Sequence, residues 1–133
     1  MKYTININQK AIIENGLFSD NLDIIDFAII DYILTWFFAD NNKNKKIISE
    51  NEEYTWINYN HLIKELPLLR INDKGGISHR ITKLKKEGFL KTFQMKNGHI
   101  FIRPTEKIAF LYYDQNGIDE GLKTSPKDEL VKF

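Results

Sequence analysis

The stretch over residues 22–39 constrains the fold of this chain more than any other segment. It contains no Gly or Pro and repeats apolar residues at helical spacing. It therefore predicts one long helix, with Asp20 or Asn21 as its cap. A second set of apolar residues lies on the other sides of this helix, so both of its faces need a cover. The cover is the rest of the domain together with the N-terminal segment, the C-terminal helix or a second copy of the chain.

Three carboxylates, Asp23, Asp26 and Asp31, interrupt this apolar stretch. Because carboxylates are costly inside a bilayer, they exclude a membrane span. We interpret them as a narrow solvated stripe that also favours the helix N-terminus. The first residues, MKYTININQK, lack the continuous apolar core of a signal peptide, and the chain has no cysteine. We therefore expect a cytoplasmic protein without disulfides or thiolate zinc sites.

The remaining chain of this 133-residue protein reads as one domain of short strands and helices. Asn97-Gly98 gives the strongest hairpin signal, because both residues tolerate positive φ. Pro67 ends a short helix before it, and Gly88 ends the next helix. The predicted elements are a strand over 3–8, helical turns over 9–14, β segments over 47–49 and 54–57, helices over 59–66 and 73–87, a hairpin over 89–104 and a last helix over 106–113.

Two segments in the middle of the chain carry a resemblance. The first is TWINYNHLIKELPLL over 55–69, and the second is ISHRITKLKKEGFL over 77–90. Together they resemble the winged helix-turn-helix superfamily, including modules of phage and plasmid replication proteins and small bacterial regulators. The resemblance implies an α+β fold with a three-helix core, a β-hairpin wing and additions at both ends. On this basis residues 1–20 form an N-terminal extension, 21–113 the winged-helix domain, and 114–133 a tail that is either flexible or a docking arm.

The charge of the chain is concentrated in one segment. Residues 70–103 hold nine lysines and arginines against two acids, although the net charge of the whole chain is only +1. Such a basic segment in an otherwise acidic chain is typical of a protein that binds a polyanion. An ordinary solvated surface is the alternative interpretation.

The predicted helix over 73–87 places several of these basic residues on one exposed face. Ile77, Ile81 and Leu84 share one face and should point to the core, which leaves the opposite face for DNA. Gly75 and Gly76 in the first turn would let the backbone N–H groups approach a phosphate closely. Basic residues of the hairpin would contact the adjacent backbone or minor groove. The DNA-binding residues that we predict are Lys74, Gly75, Gly76, Ser78, His79, Arg80, Thr82, Lys83, Lys86, Lys91, Lys96, His99 and Arg103.

Other side chains give weaker signals. We interpret Trp36 and Trp56 as core residues, with stacking of single-stranded nucleic acid as the alternative. His61, His79 and His99 are too scattered to predict a metal site. No catalytic or cofactor-binding motif is present, so we expect neither an enzyme nor a bound cofactor.

The function that we predict is double-stranded DNA binding, in transcription regulation or replication initiation, by a protein of a phage or other mobile element. We expect a homodimer that pairs through the helix over 22–39 and the terminal segments. The alternative is a protein–protein interaction module that uses its first helix or its wing, with the basic face incidental. The steep salt dependence of DNA binding separates the two.

Overall fold

The protein is described from a computed structural model, which covers residue 2, residues 4–39 and residues 45–116, with side chains as far as residue 112. Within these residues, five α-helices and one four-stranded antiparallel sheet confirm the α+β class. A short 3-10 turn over Pro67–Leu69 follows the third helix. The elements are α1 (Gln9–Glu14), α2 (Ile24–Phe38), β1 (Lys46–Ser49), β2 (Glu52–Trp56), α3 (Tyr59–Glu65), α4 (Lys74–Lys86), β3 (Leu90–Gln94), β4 (Ile100–Pro104) and α5 (Glu106–Asn116).

The start of α2 differs from the prediction. Its cap is Asp23, not Asp20 or Asn21, and Asp23 and Asp26 form a capping box in which each side chain accepts the backbone N–H of the other. Two donors at the helix N-terminus are satisfied in this way. The capping box therefore begins the helix later than the apolar spacing alone predicts.

The expectation of a solvated acidic stripe on α2 is wrong. Asp26 is 0% exposed and Asp31 is 1% exposed. Each is buried beside a cation or a backbone donor: Lys2 Nζ lies 3.1 Å from Asp31 Oδ2, and the Asn6 N–H donates to the same oxygen. These contacts attach the N-terminal segment to α2, because a buried carboxylate needs a partner.

Both faces of α2 are covered by the same chain. Its central residues belong to a core cluster that also includes Ile12 and Leu17 from the N-terminal segment and Ile108 and Leu111 from α5. Ile33 in α2 is 0% exposed. The N-terminal segment and the C-terminal helix therefore cover most of the apolar surface of α2, although Ile24 in its first turn is 70% exposed.

The N-terminal prediction is confirmed in part. The helical turns over Gln9–Glu14 form as expected, and the Asn8 side chain caps them by accepting the Ala11 N–H. Residues 4–8, in contrast, form no strand. Ile5 and Ile7 pack against the core instead, so the alternation of polar and apolar residues reflects one buried side of an irregular segment.

The sheet has the strand order β1-β2-β4-β3, so β4 lies between β2 and β3. Both predicted hairpins are confirmed. The β1–β2 turn places Glu50 and Asn51 at φ of 52° and 66°, as a two-residue turn requires. In the β3–β4 hairpin Gly98 has a φ of 90°. The β2–β4 pairing sets Trp56 opposite Phe101, which brings the end of β2 beside the tip of the second hairpin.

The helices before this hairpin follow local signals. α3 ends at Glu65, before Pro67, and α4 begins after its cap Asp73 and ends before Gly88, which has a φ of 82°. Among the described residues, no helix has the length and apolar character that crossing a membrane requires. Most of the predicted tail over 114–133 lies outside the described residues, although α5 continues to Asn116.

Candidate functional site

The α4 helix has a buried side and an exposed basic side. Ile77, Ile81 and Leu84 are at most 4% exposed, which confirms the predicted core face. The exposed side carries hydrogen-bond donors and no acidic residue. We call it the α4 outer face and define it by its exposed residues, which are Lys74, Gly75, Ser78, His79, Thr82, Lys85 and Lys86.

Lys85 is the member of this face that sequence reasoning missed. It lies seven residues after Ser78 and three after Thr82, which is the spacing of neighbours on one side of a helix. This spacing is enough to place Lys85 on the same face as Ser78 and Thr82. The sequence prediction includes only residues directly opposite the core side of the helix, and Lys85 lies at the edge of that set.

Two predicted DNA contacts, Arg80 and Lys83, turn toward α2 instead of outward. Arg80 lies 2.9 Å from Asp26 and 2.8 Å from Asp23. Lys83 Nζ lies 2.8 Å from the other carboxylate oxygen of Asp26. Asp26 is fully buried, and a buried carboxylate needs partners such as these two cations. Both residues therefore fasten α4 to the N-terminus of α2, and any DNA contact they make would compete with this role.

The surroundings of Asp23 and Arg80 favour their charged forms. Burial opposes the ionisation of Asp23, but the Asp26 N–H and the Arg80 guanidinium outweigh burial and lower the pKa of Asp23. Burial likewise opposes the charge on Arg80, and hydrogen bonds to Asp26 and Asp23 raise its pKa above the ordinary value. The Asp23–Arg80 pair at the junction between α2 and α4 is therefore ionic at neutral pH.

Two basic residues of the second hairpin also have partners within the fold. Lys91 Nζ lies 2.7 Å from a carboxylate oxygen of Glu52, and this hydrogen bond raises the pKa of Lys91 and lowers that of Glu52. Arg103 donates to the Glu53 carbonyl and lies 3.5 Å from Glu52. These contacts join the hairpin to β2. Lys96, in contrast, is exposed in the turn and forms no ion pair with the described residues.

The tip of the hairpin lies across a groove from the start of α4. The groove has a volume of about 560 Å³ and is lined by Lys74, Gly75 and Ser78 on one side and by Gly98 and His99 on the other. The structure therefore brings together predicted residues from the helix and from the hairpin. Thr82, His79 and Lys86 lie on the outer face but do not line this groove, and Arg80, Lys83, Lys91 and Arg103 are held away from it by their partners.

The two tryptophans have different environments. Trp36 is partly buried against the core and donates its Nε1–H to the Trp56 carbonyl, which agrees with the core prediction. Trp56 lines the groove and is only partly buried, so its assignment to the core is wrong. His99 stacks on Trp56 with ring centroids 4.7 Å apart. The packing of β2 beside β4 places Trp56 at the surface, and no local pattern in the sequence indicates this.

The three histidines have separate surroundings. His61 Nδ1 lies 2.7 Å from the Tyr32 hydroxyl, His79 is exposed on α4, and His99 lies on Trp56. Across the described residues, no group of three or more side chains that commonly ligate metals converges.

The two glycines of the first α4 turn differ in their surroundings. The Gly76 N–H donates to the Asp73 carboxylate at 2.8 Å, so the cap already uses the donor that we predicted for a phosphate. A Cβ at Gly76 would lie 3.0 Å from a methyl group of Ile71. At Gly75 the nearest atom to an added Cβ is Asp73 Oδ1 at 3.4 Å. Packing therefore explains Gly76, and only Gly75 is open to a ligand.

A pair of alanine variants tests this difference. Gly75→Ala should raise the free energy of unfolding by about 0.5–1 kcal/mol, since Ala favours a helix and meets only an ordinary contact. Gly76→Ala should gain less or lose stability, because Ile71 must move. Urea denaturation measures both. If Gly75 also approaches a phosphate, Gly75→Ala should weaken duplex DNA binding although it stabilises the fold, and unchanged binding would refute that contact.

Comparisons of this chain with protein-family models, with curated proteins and with solved structures find no match.

Proposed function

We propose that this protein is a winged helix that binds double-stranded DNA and catalyses no reaction. The order of α2, β2, α3, α4 and the β3–β4 hairpin is the order expected for this architecture. The strand order β2-β4-β3 places the hairpin at one edge of the sheet, where a wing would project. α3 and α4 are joined by residues 66–73, which include the 3-10 turn. In this proposal they are the helix-turn-helix pair, with α4 as the recognition helix.

The α4 outer face is the observation that carries the proposal. Its lysines, Lys74, Lys85 and Lys86, and Lys96 at the hairpin tip form no ion pair within the described part of the chain. Arg80, Lys83 and Lys91, in contrast, form ion pairs with acids on α2 and β2 or at the N-terminus of α2. Unpaired lysines beside hydroxyl and imidazole donors on one helix are suited to phosphate oxygens and base-edge acceptors.

In the proposed complex α4 lies in the major groove, which admits an α-helix, and the hairpin lies on the adjacent backbone or minor groove. Transcription regulation and replication initiation in the cytoplasm both use such a complex. A homodimer would read two half-sites about one helical turn apart. Because α2 is covered by its own chain, we assign no dimer contact to residues 22–39.

The salt dependence of binding tests the proposal. Fluorescence anisotropy with a labelled random duplex, over a range of salt concentrations, should show log affinity falling linearly with log salt. About four phosphate contacts, one for each unpaired lysine, give a slope of about −4. A protein–protein interaction module should show no binding to the duplex even at low salt, and that result would overturn the proposal.

A further inference from the structure

The groove between α4 and the hairpin combines aromatic and polar side chains. Trp56, Tyr59 and His99 supply rings, and Lys74 and Ser78 supply polar groups across the space. No acidic side chain of the described residues lines the groove. A cleft with partly exposed rings, a cation and no acid matches the chemistry of a nucleotide, which joins a flat aromatic base to a negative phosphate.

The aromatic wall of this groove is fixed in place. His99 and Trp56 stack with an interplanar angle of 26°, and both are partly exposed. The Asn97 side chain accepts the His99 N–H at 3.0 Å, which holds the turn that carries the imidazole. Because Trp56 sits in β2 opposite Phe101 of β4, the wall is built on paired strands. His99 stacks on the Trp56 ring and Lys45 Nζ lies 5.1 Å from its centroid, so the ring left for a base is that of His99.

Tyr59 adds a donor to the same groove. Burial raises the pKa of the Tyr59 phenol, so the hydroxyl keeps its proton at neutral pH. Tyr59 also packs partly against the core. Its hydroxyl forms no hydrogen bond with the described residues, so in the proposed complex it would donate to an acceptor on a base or a sugar.

We propose that this groove binds a nucleotide whose base has left the duplex stack. The base would stack on His99, which Trp56 supports on its other side, and its phosphate would lie near Lys74 and Ser78. Bases inside a duplex are stacked on both faces and cannot turn a ring toward this wall, whereas an unpaired base can do so at little cost. The inference rests on the proposed function, since the groove lies beside the α4 outer face, and it adds a preference for duplex ends or openings with unpaired nucleotides.

Three DNA probes test the preference. The first is a blunt duplex, the second carries an unpaired extension of a few nucleotides, and the third carries a paired extension of the same length and sequence. Anisotropy at one low salt concentration should give about tenfold tighter binding for the unpaired extension than for the blunt duplex, as one stacked base predicts. The paired extension should give no comparable gain. Equal affinities for the two extended probes would overturn the inference.

Variants locate the preference in the groove. Trp56→Leu should abolish the ratio of affinities between the unpaired and paired extensions, and Trp56→Phe should restore most of it, because Phe keeps a ring. Lys86→Gln is the matched contrast, since it should weaken binding of both probes alike and leave the ratio unchanged. Circular dichroism confirms that each variant is folded. A ratio that survives in folded Trp56→Leu would overturn the assignment to this wall.

The result also separates this inference from the proposed function. Salt-dependent binding of the blunt duplex without a gain from unpaired nucleotides would overturn only the inference, whereas no binding to any probe would overturn both. A free mononucleotide, dAMP, tests the other source of the same chemistry. Quenching of tryptophan fluorescence by dAMP that is lost in Trp56→Leu, without any gain from the unpaired extension, would overturn the assignment to a DNA strand.

Discussion

A Lys83→Glu variant should unfold with a free energy about 3 kcal/mol lower than that of the wild type. Lys83 Nζ lies 2.8 Å from Asp26 Oδ2, and Asp26 is 0% exposed. The substitution removes a cation from this buried carboxylate and places a second carboxylate beside it. Arg80 would then be the only cation beside three carboxylates, which are Asp23, Asp26 and the new Glu side chain at position 83. Because Lys83 is itself 25% exposed, water can relieve part of the repulsion, and we expect the lower end of the range for broken buried pairs.

The same substitution at Lys86 provides the control. Lys86 lies three residues later on the same helix, but it belongs to the outer face and is exposed. Lys86→Glu should therefore stay within about 0.5–1 kcal/mol of the wild type, with a small loss from a negative charge at a helix C-terminus. Urea denaturation followed by circular dichroism compares the two variants, which have identical composition. Equal stability of Lys83→Glu and Lys86→Glu would mean that the Asp26 cluster does not hold α4 to α2.

This contrast shows where sequence reasoning on α4 stops. The spacing of Ile77, Ile81 and Leu84 identifies the core face, because helical periodicity is a local property. The direction of Lys83 depends on Asp26, which is distant in the chain and lies on another helix. A carboxylate among apolar residues is normally expected to face water. Only the packing of α4 on α2 shows that this one is buried and paired.

The β3–β4 hairpin can be predicted from local sequence signals, whereas the groove cannot. The β3–β4 hairpin follows from Asn97-Gly98, and the end of α4 follows from Gly88, since each signal acts within a few residues. The groove depends on the position of β4 between β2 and β3. That strand order brings Trp56 to His99, and neither residue indicates the other from the sequence.

The N-terminal segment shows a third kind of error. Alternating polar and apolar residues over 3–8 predict a strand, but a strand also needs a partner with free backbone groups. Ile5 and Ile7 pack against the core, and the Asn6 N–H donates to the side chain of Asp31. The alternation therefore predicts correctly which side is buried and gives the wrong backbone structure.

Lys86→Glu should weaken duplex DNA binding by about tenfold to a hundredfold at low salt, although the protein stays folded. Lys86 lies near the centre of the outer face, opposite the core residues of α4, where a helix in the major groove comes closest to DNA. The substitution removes a positive charge and adds a repulsive one, so the salt slope should also fall in magnitude by about 1 to 2. Anisotropy with a labelled duplex at several salt concentrations measures both quantities.

Lys10→Glu is the matched variant for this experiment. Lys10 is also exposed but lies on α1, outside α3, α4 and the hairpin, and the change in net charge is the same. If attraction to DNA came only from the total charge of the protein, both variants would lose affinity equally. If the outer face of α4 contacts the duplex, Lys10→Glu should change the affinity by less than about twofold. Equal losses in Lys86→Glu and Lys10→Glu would therefore remove α4 from the proposed interface even if the protein binds DNA.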